Sequence, residues 1–392
     1  MTLEHGGPDL GAEIRWDFST NANPMGPMAG ATHALAEADR RTYPEPTYLA
    51  LRTALSGAGL GPVDRLLPTA GNAEAIRRLT LAAKLAGVAQ VWVPGPGYGE
   101  YRAAAEALGL AVCVHGSVAE WVDGLQQALG VPEAGQGLSP RRARASKVGH
   151  AKLGRAKPAP QLIWLCEPCN PTGDDVPASV WAQLVALLPA LHAAGHTLAV
   201  DRAYAPMRLD GFDPVPVAVA DAAWQLWSPN KTLGCTGVRA GLMVAPAKPH
   251  AHWPDLAALA PSWVLGSEGV ALLQAWVSES VQGSLRVQRV VWRGWLRAQQ
   301  QALRARGWTV RDTVVPFFLA QPPQGVDVAA MLTGLRERGI KLRDASSLGL
   351  PGWCRMRVMS PTAQAALMEA LTAQGQLPAA GAAEPSPDVE AA

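Results

Sequence analysis

Between residues 66 and 245 the chain repeats one alternation: a short apolar run, a turn of small or polar residues, then a helical stretch. The runs cover 88–93, 111–114, 162–166, 197–200 and 222–227, and none shows the regular polar alternation of a strand with one wet face. Each therefore reads as a strand covered on both sides. The intervening stretches 75–86, 101–108 and 178–194 read as helices. Strands buried on both faces and separated by helices imply a three-layer α/β/α fold around a mostly parallel sheet.

The flanks differ in texture. Residues 1–44 open with His5-Gly6-Gly7 and pass through Asn21-Ala22-Asn23-Pro24, too dense in Asn, Pro and Gly for regular structure, before a helix expected over 30–40. Another helix is expected over 48–56. Beyond strand 240–245, two long helices are expected at 267–281 and 284–306. Strands follow at 308–315, 317–320, 340–342 and 355–359, with helices at 328–338 and 362–372. The division is thus an arm at 1–44, a large α/β domain at 45–265, a smaller α+β domain at 266–375 and a disordered tail at 376–392. Residues 130–160, rich in Gly, Ala, Pro and Ser with seven basic residues, read as a mobile surface insertion.

A formal charge of +2, with 17% charged residues, gives no reason to expect nucleic acid as a partner. No basic and apolar leader opens the chain, and no run reaches the ~18 apolar residues of a membrane span, so the expectation is a cytoplasmic protein without membrane contact. Cys166 and Cys169 form a lone C-x-x-C without neighbouring histidines, better read as packed thiols than as a metal site.

The chemistry lies in the turns that leave the strands. In open α/β sheets ligands sit beyond the carboxyl ends of strands. That edge carries Asn170, Asp201, Ser228 and Lys231. A lysine three residues after a serine and eight before Arg239 suits an aldehyde cofactor with a phosphate: Lys231 takes the aldehyde, while Ser228 and Arg239 hold the phosphate. The turn at Gly71-Asn72-Ala73 feeds a helix and offers backbone N–H groups to an anion. Asp201 can keep a ring nitrogen protonated, Asn170 and Tyr204 can hydrogen-bond a ring hydroxyl, and Tyr98 can stack on the ring. Each also has a plain structural reading, Asp201 as a helix cap and Asn170 as a turn residue.

Gly71-Asn72-Ala73-Glu74, Pro96-Gly97-Tyr98, Asn170-Pro171-Thr172-Gly173, Asp201-x-x-Tyr204, Ser228-x-x-Lys231 and Arg239, taken in order, resemble the fold-type I pyridoxal-phosphate enzymes of the aminotransferase class I/II family, over residues 5–372. The resemblance implies pyridoxal 5′-phosphate as cofactor, Lys231, Asp201 and Tyr204 as catalytic residues, and a homodimer in which Tyr43 reaches the neighbouring subunit's cofactor phosphate. Two branches fit. The opening His5-Gly6-Gly7 and the segments Ile340-Lys341-Leu342-Arg343 and Trp353-Cys354-Arg355-Met356-Arg357 are similar to the cobalamin-pathway L-threonine-O-3-phosphate decarboxylases. That likeness implies substrate contacts at His5, Gly6, Asn21, Asn170, Arg343 and Arg355. The histidinol-phosphate aminotransferases are the second branch, and a non-catalytic protein on the same fold is a third reading. The chain departs from the family pattern at Arg202, Pro229 and Asn230.

Overall fold

The computed structural model describes residues 6–129 and 159–374. His5, nearly all of the expected insertion and the expected tail lie outside the described residues. The amino-terminal part holds β1 (Trp16–Asp17), α1 (Ala29–Ala36) and α2 (Leu49–Gly57). The α/β part follows as β2 (Leu66–Thr69), α3 (Asn72–Leu85), β3 (Gln90–Pro94), α4 (Gly99–Ala107), β4 (Ala111–His115), α5 (Val118–Leu129) and β5 (Gln161–Cys166). It ends with α6 (Ala178–Ala193), β6 (Thr197–Asp201), α7 (Val217–Ala222), β7 (Trp224–Trp227) and β8 (Gly241–Val244).

These strands form one seven-stranded sheet in the order β2-β8-β7-β6-β5-β3-β4. All neighbours are parallel except those of β8, which runs antiparallel to both β2 and β7. Alternate residues of β5 explain the layering. Leu162 and Trp164 join Ile76, Leu79, Tyr101 and Ala104 from α3 and α4 on one face. Ile163 and Leu165 join Val122 of α5 and Trp181 and Leu184 of α6 on the other. With period-2 side chains and a helix layer on each face, both sets are dry, and each large apolar side chain so buried contributes about 1.5–3 kcal/mol.

The carboxyl-terminal part comprises α8 (Ser267–Val277), α9 (Glu279–Arg304), β9 (Thr309–Val310), β10 (Phe317–Gln321) and α10 (Val328–Glu337). After these come β11 (Ile340–Lys341), β12 (Arg343–Asp344), β13 (Cys354–Arg357) and α11 (Pro361–Ala373). A four-stranded antiparallel sheet has the order β12-β13-β10-β9, and β1 pairs in parallel with β11. That short pairing fastens the arm to the carboxyl-terminal part. Phe18 and Met28 of the arm share one apolar cluster with Trp292, Phe318 and Met356.

Several expected bounds shift, for identifiable reasons. The break between the long helices falls at Ser278, whose hydroxyl accepts from the Val281 N–H and caps α9, so Gly283 lies inside the helix. The strand expected over 308–315 is only two residues long. Its continuation is diverted where the Thr313 hydroxyl accepts from the Val315 N–H and packs against Gly173. Helix α3 starts at Asn72, three residues before the expected 75, and β7 starts at Trp224 because Ala222 ends α7. Helices α5 and α7 and strand β1 have no counterpart among the sequence-based expectations. Among the described residues no helix is long and apolar enough to cross a membrane.

Candidate active site

Strand register brings the polar turns to one edge. Asp201, the last residue of β6, pairs with Cys166 at the end of β5 and with Leu226 of β7. Ser228 and Lys231 follow β7 directly, and Thr69 at the end of β2 lies opposite Gly241. Because β8 runs antiparallel to both neighbours, β2 points the same way as β7 and delivers the α3 amino terminus to the edge where the parallel strands end.

A cleft of about 250 Å³ opens there. Its wall includes Asn72, Ala73, Tyr98, Asn170, Asp201 and Tyr204 from the large sheet's edge, together with Ser228, Lys231 and Arg239. The opposite wall includes Gly6 and Asn21 of the arm, and Arg343 and Arg355 of the four-stranded sheet. Tyr43 is not in this wall. It is an exposed side chain stacked on Trp263 at 4.4 Å.

At the centre, Asp201 is 3% exposed and its carboxylate is fully engaged. Oδ1 accepts from Asn72 Nδ2 at 2.7 Å and from the Ala203 N–H at 2.9 Å, while Oδ2 accepts from the Tyr101 hydroxyl at 2.7 Å. Burial pushes the Asp201 carboxyl above its usual range, against the pull of Tyr101, Ala203, Lys231 and Asn72. Burial pushes the Lys231 amine below its usual value, and the Arg239 and Arg355 cations act in the same direction while Asp201 opposes them. An amine so placed loses its proton more readily and becomes nucleophilic. Its Nζ lies 5.3 Å from the centre of the Tyr204 ring, whose hydroxyl burial pushes up to about 12. The Asn21 amide sits beside that hydroxyl.

The Lys231 turn is fixed by Asn230, one of the departures from the family pattern. Asn230 accepts from the Ser228 hydroxyl at 2.9 Å and donates to the Val238 carbonyl at 3.2 Å, tying the turn to the segment that carries Arg239. From the arm, the Asn23 N–H donates to the Lys231 carbonyl at 2.9 Å. Arg202, another departure, is fully buried: it donates to Gln225, pairs with Asp213 and lies 4.5 Å over the Trp227 ring. It braces β6 against β7 and faces away from the cleft.

On the opposite wall Arg343 and Arg355 are register partners on β12 and β13, 2% and 6% exposed. Arg355 donates to Asn170 Oδ1 and to the Ser19 carbonyl, both at 2.7 Å, and Arg343 donates to the Ser347 hydroxyl at 2.7 Å. Burial and the neighbouring Arg343 bring Arg355 down to about 10, with burial the larger effect. Two guanidiniums buried side by side repel one another, and an anionic ligand joining them offsets that cost.

Residues 16–371 match the family described as Aminotransferase class I and II. The chain belongs to that family. Among curated relatives of this aminotransferase-family chain, the histidinol-phosphate aminotransferase of Symbiobacterium thermophilum is 28% identical over 377 residues, covering 93% of this chain and 92% of that protein. The solved histidinol-phosphate aminotransferase of Sinorhizobium meliloti, in complex with pyridoxal 5′-phosphate, aligns with a TM-score of 0.69 at 18% identity, over 92% of each chain. The L-threonine-O-3-phosphate decarboxylase of Porphyromonas gingivalis aligns with a TM-score of 0.68 at 20% identity, over 91% of this chain and 98% of that one. At those identities the two structures show the fold alone.

The family's cofactor is pyridoxal 5′-phosphate, and the residues fit it. Gly71, the N-cap of α3, has φ +86° and no side chain to close the first helical turn, so the Asn72 and Ala73 N–H groups are left open to an anion. A Cβ on Gly71 would lie 2.8 Å from Arg239 Nη2, so only glycine leaves room for that guanidinium beside the helix end. With Ser228, these groups could hold a phosphate in the cleft that Lys231 and Asp201 also line.

Tyr101 belongs to this constellation although no sequence motif pointed to it. It sits one helical turn after Tyr98, so α4 presents both to the same side, and that spacing was the available signal.

Proposed function

We propose that this chain is a pyridoxal-phosphate-dependent decarboxylase that converts L-threonine O-3-phosphate into (R)-1-aminopropan-2-yl phosphate and carbon dioxide, in cobalamin biosynthesis. The observation that carries this reading is the wall opposite the cofactor cradle, where the paired buried cations Arg343 and Arg355 meet the glycine arm. A substrate bearing both a carboxylate and a phosphate supplies one anion to each guanidinium.

The arm is built for close approach. A Cβ on Gly6 would lie 2.3 Å from the Ser19 carbonyl oxygen, so only glycine lets this stretch lie against the bend after β1. The Gly7 N–H donates to Ser19 Oγ at 2.9 Å, and Lys341 Nζ donates to the Gly7 carbonyl at 2.6 Å. His5 immediately precedes this pair in the chain, and the reading gives it a substrate contact alongside Gly6.

When bound, the cofactor supplies an electrophilic carbon and a ring that accepts the electron pair left at Cα. The chain does the rest. Lys231 Nζ holds the cofactor at rest and later carries the proton to Cα; Asp201 stabilises positive charge at the ring nitrogen; Asn170 and Tyr204 hydrogen-bond the ring hydroxyl. Arg343 and Arg355 orient the substrate so that the Cα–carboxylate bond, and not Cα–H, stands perpendicular to the ring.

A second reading, an aminotransferase on histidinol phosphate or a related amino acid, is favoured by the curated relatives, which at 25–28% identity carry that name. An aminotransferase also binds two anions in turn, so the arginine pair suits it as well. One experiment separates them: the cofactor-loaded protein is given threonine phosphate alone, and histidinol phosphate with 2-oxoglutarate. Carbon dioxide release without a keto acid supports the decarboxylase, whereas amino transfer without carbon dioxide removes it.

The same proposal includes a homodimer with shared sites and the division at residues 44, 265 and 375. On this reading Tyr43, 75% exposed, contacts a second copy's cofactor phosphate. Sedimentation at the dimer mass, with Tyr43→Phe weakening cofactor retention, is the expected result.

A further inference from the structure

Tyr101 is fully buried in the wall of the cleft and touches Asp201, yet it has no part in the chemistry assigned to Lys231, Asn170 and Tyr204. Two aromatic neighbours fix it. Its ring stacks on Trp164 of β5 at 4.8 Å with an interplanar angle of 20°, and meets Tyr98 edge-on at 5.7 Å and 89°. Held this way, its hydroxyl lies between Asp201 and the Cys166 thiol, and at 2.7 Å it donates to Asp201 Oδ2. Oδ1 is already shared by Asn72 and Ala203.

From this geometry we infer that Tyr101 is a positioning residue for the proton on the cofactor's ring nitrogen, acting through Asp201. The inference rests on the assignment of Asp201 as the partner of that nitrogen. A carboxylate and a pyridinium share one proton, and a third donor on the carboxylate stabilises its anionic form. The Tyr101 hydroxyl therefore favours the charge-separated state, Asp201 ionised and the ring protonated, over the neutral one. The ring stack makes that donation independent of solvent, because the buried hydroxyl is closed off from water that could replace it. The edge-on contact with Tyr98 also couples Tyr101 to the residue expected to stack on the cofactor ring.

The titratable groups facing Asp201 are Tyr98 just before α4, Tyr101 of α4, Cys166 of β5, Tyr204 after β6 and Lys231 after β7. Burial holds Tyr101 and Cys166 well above their usual values, Tyr98 above and Tyr204 up to about 12, so all four stay protonated through the neutral range. Any change of ring protonation near neutrality then comes from the Asp201–cofactor pair and from Lys231.

The test is Tyr101→Phe in the cofactor-loaded protein, which removes one oxygen and keeps the ring against Trp164. The readout is the nitrogen-15 signal of ring-labelled pyridoxal phosphate. We expect the visible band of the lysine-bound cofactor to remain and the melting temperature to stay within about 3 °C of the parent. The nitrogen signal should move toward its unprotonated position, corresponding to about a tenfold change in the protonation equilibrium for one lost charge-assisted hydrogen bond. In an Asp201→Asn background the same substitution should move it no further. If Asp201→Asn moves the signal and Tyr101→Phe does not, the inference is overturned while the site reading stands. If Asp201→Asn leaves the signal where it was, the assignment of Asp201 fails and Tyr101's part with it. Should Tyr101→Phe not fold, 3-fluorotyrosine at position 101, a stronger donor of nearly the same shape, must move the signal the opposite way, and its failure to do so equally overturns the inference.

Discussion

Lys231 and Glu167 are both withdrawn from water, yet burial acts on them with opposite consequences. At Lys231 it favours the neutral amine that the chemistry needs. Lys231→Ala should abolish turnover and the visible band of the bound cofactor while leaving the far-ultraviolet circular dichroism unchanged; a variant that still decarboxylates would remove Lys231 from its role. Glu167 lies just behind the cleft, with its N–H on the Asp201 carbonyl at 3.0 Å and its Oε2 accepting from the Val176 N–H at 2.7 Å. Its Oε1 is 3.2 Å from Arg208 Nη1, which by itself suggests an ionised pair. Arg208, however, also pairs with Asp175 and Asp210, and one guanidinium cannot neutralise three carboxylates. The most buried of the three keeps its proton: burial first, with Asp175 adding to it, pushes Glu167 up to about 8. A carboxyl whose folded value is raised favours the folded state most below its unfolded value of 4.5, and that contribution is lost as pH rises through about 8. Each tenfold change in a protonation equilibrium is equivalent to about 1.4 kcal/mol, so Glu167→Gln should flatten the stability profile between about pH 5 and 8 by a few kcal/mol. Urea denaturation at about pH 5, 6.5 and 8 checks this; parallel profiles for parent and variant would mean that Glu167 is ionised throughout.

At the scale of elements, the junction of α8 and α9 shows what the sequence conveys and what it hides. Gly283 looks like a break because glycine is a poor helix former, but Ser278 and the acidic Glu279 after it form a stronger start. Ser278→Ala should cost about 1 kcal/mol in a denaturation experiment. Gly283→Ala should instead stabilise by up to about 1 kcal/mol, since an added Cβ meets only the end of the Arg286 side chain at 3.6 Å. The reverse pair of signs would restore the break to Gly283. The central strands were legible because Leu162 to Cys166 and Thr197 to Val200 are apolar on both faces, and only a doubly covered sheet accommodates that. The cofactor groups were legible because Asp201, Lys231 and Arg239 stand in the turns after such strands. Helix α5 carried a legible start signal that the reading passed over, Ser117 and Glu120 each accepting from the other's N–H at 3.1 Å, whereas the six residues of α7 are too few for a periodicity. Tyr101 was hidden because its function depends on a hydrogen bond to a residue 100 positions away, which no local pattern encodes.

At the scale of the whole molecule, the cleft is completed by three parts of the chain that meet only after folding: the large sheet's edge, the four-stranded sheet and the arm. Phe18 and Met28 anchor the arm in the core, but around Asp9 its attachment is polar and shallow. Asp9 pairs with Arg336 at 2.7 Å and with Lys341 at 2.9 Å, and these cations hold its carboxyl well below the usual range. Surface ion pairs of this kind contribute little and are screened by salt, whereas the fit of Gly6 against Ser19 depends on shape alone. The two should respond differently. Raising salt should weaken the Asp9 pairs and leave the Gly6 contact intact, so substrate binding should decline only gradually with ionic strength. Gly6→Ala forces a Cβ to within 2.3 Å of a backbone oxygen that cannot move without breaking the Arg355 contact at Ser19. The arm must lift instead, opening that wall of the cleft and loosening Arg355. We expect Gly6→Ala to raise KM for threonine phosphate by about tenfold or more, equivalent to about 1.4 kcal/mol of binding, with the cofactor band and melting temperature near those of the parent. An unchanged KM would show that the arm does not take part in binding, and would leave the choice between the two activities to the product assay alone.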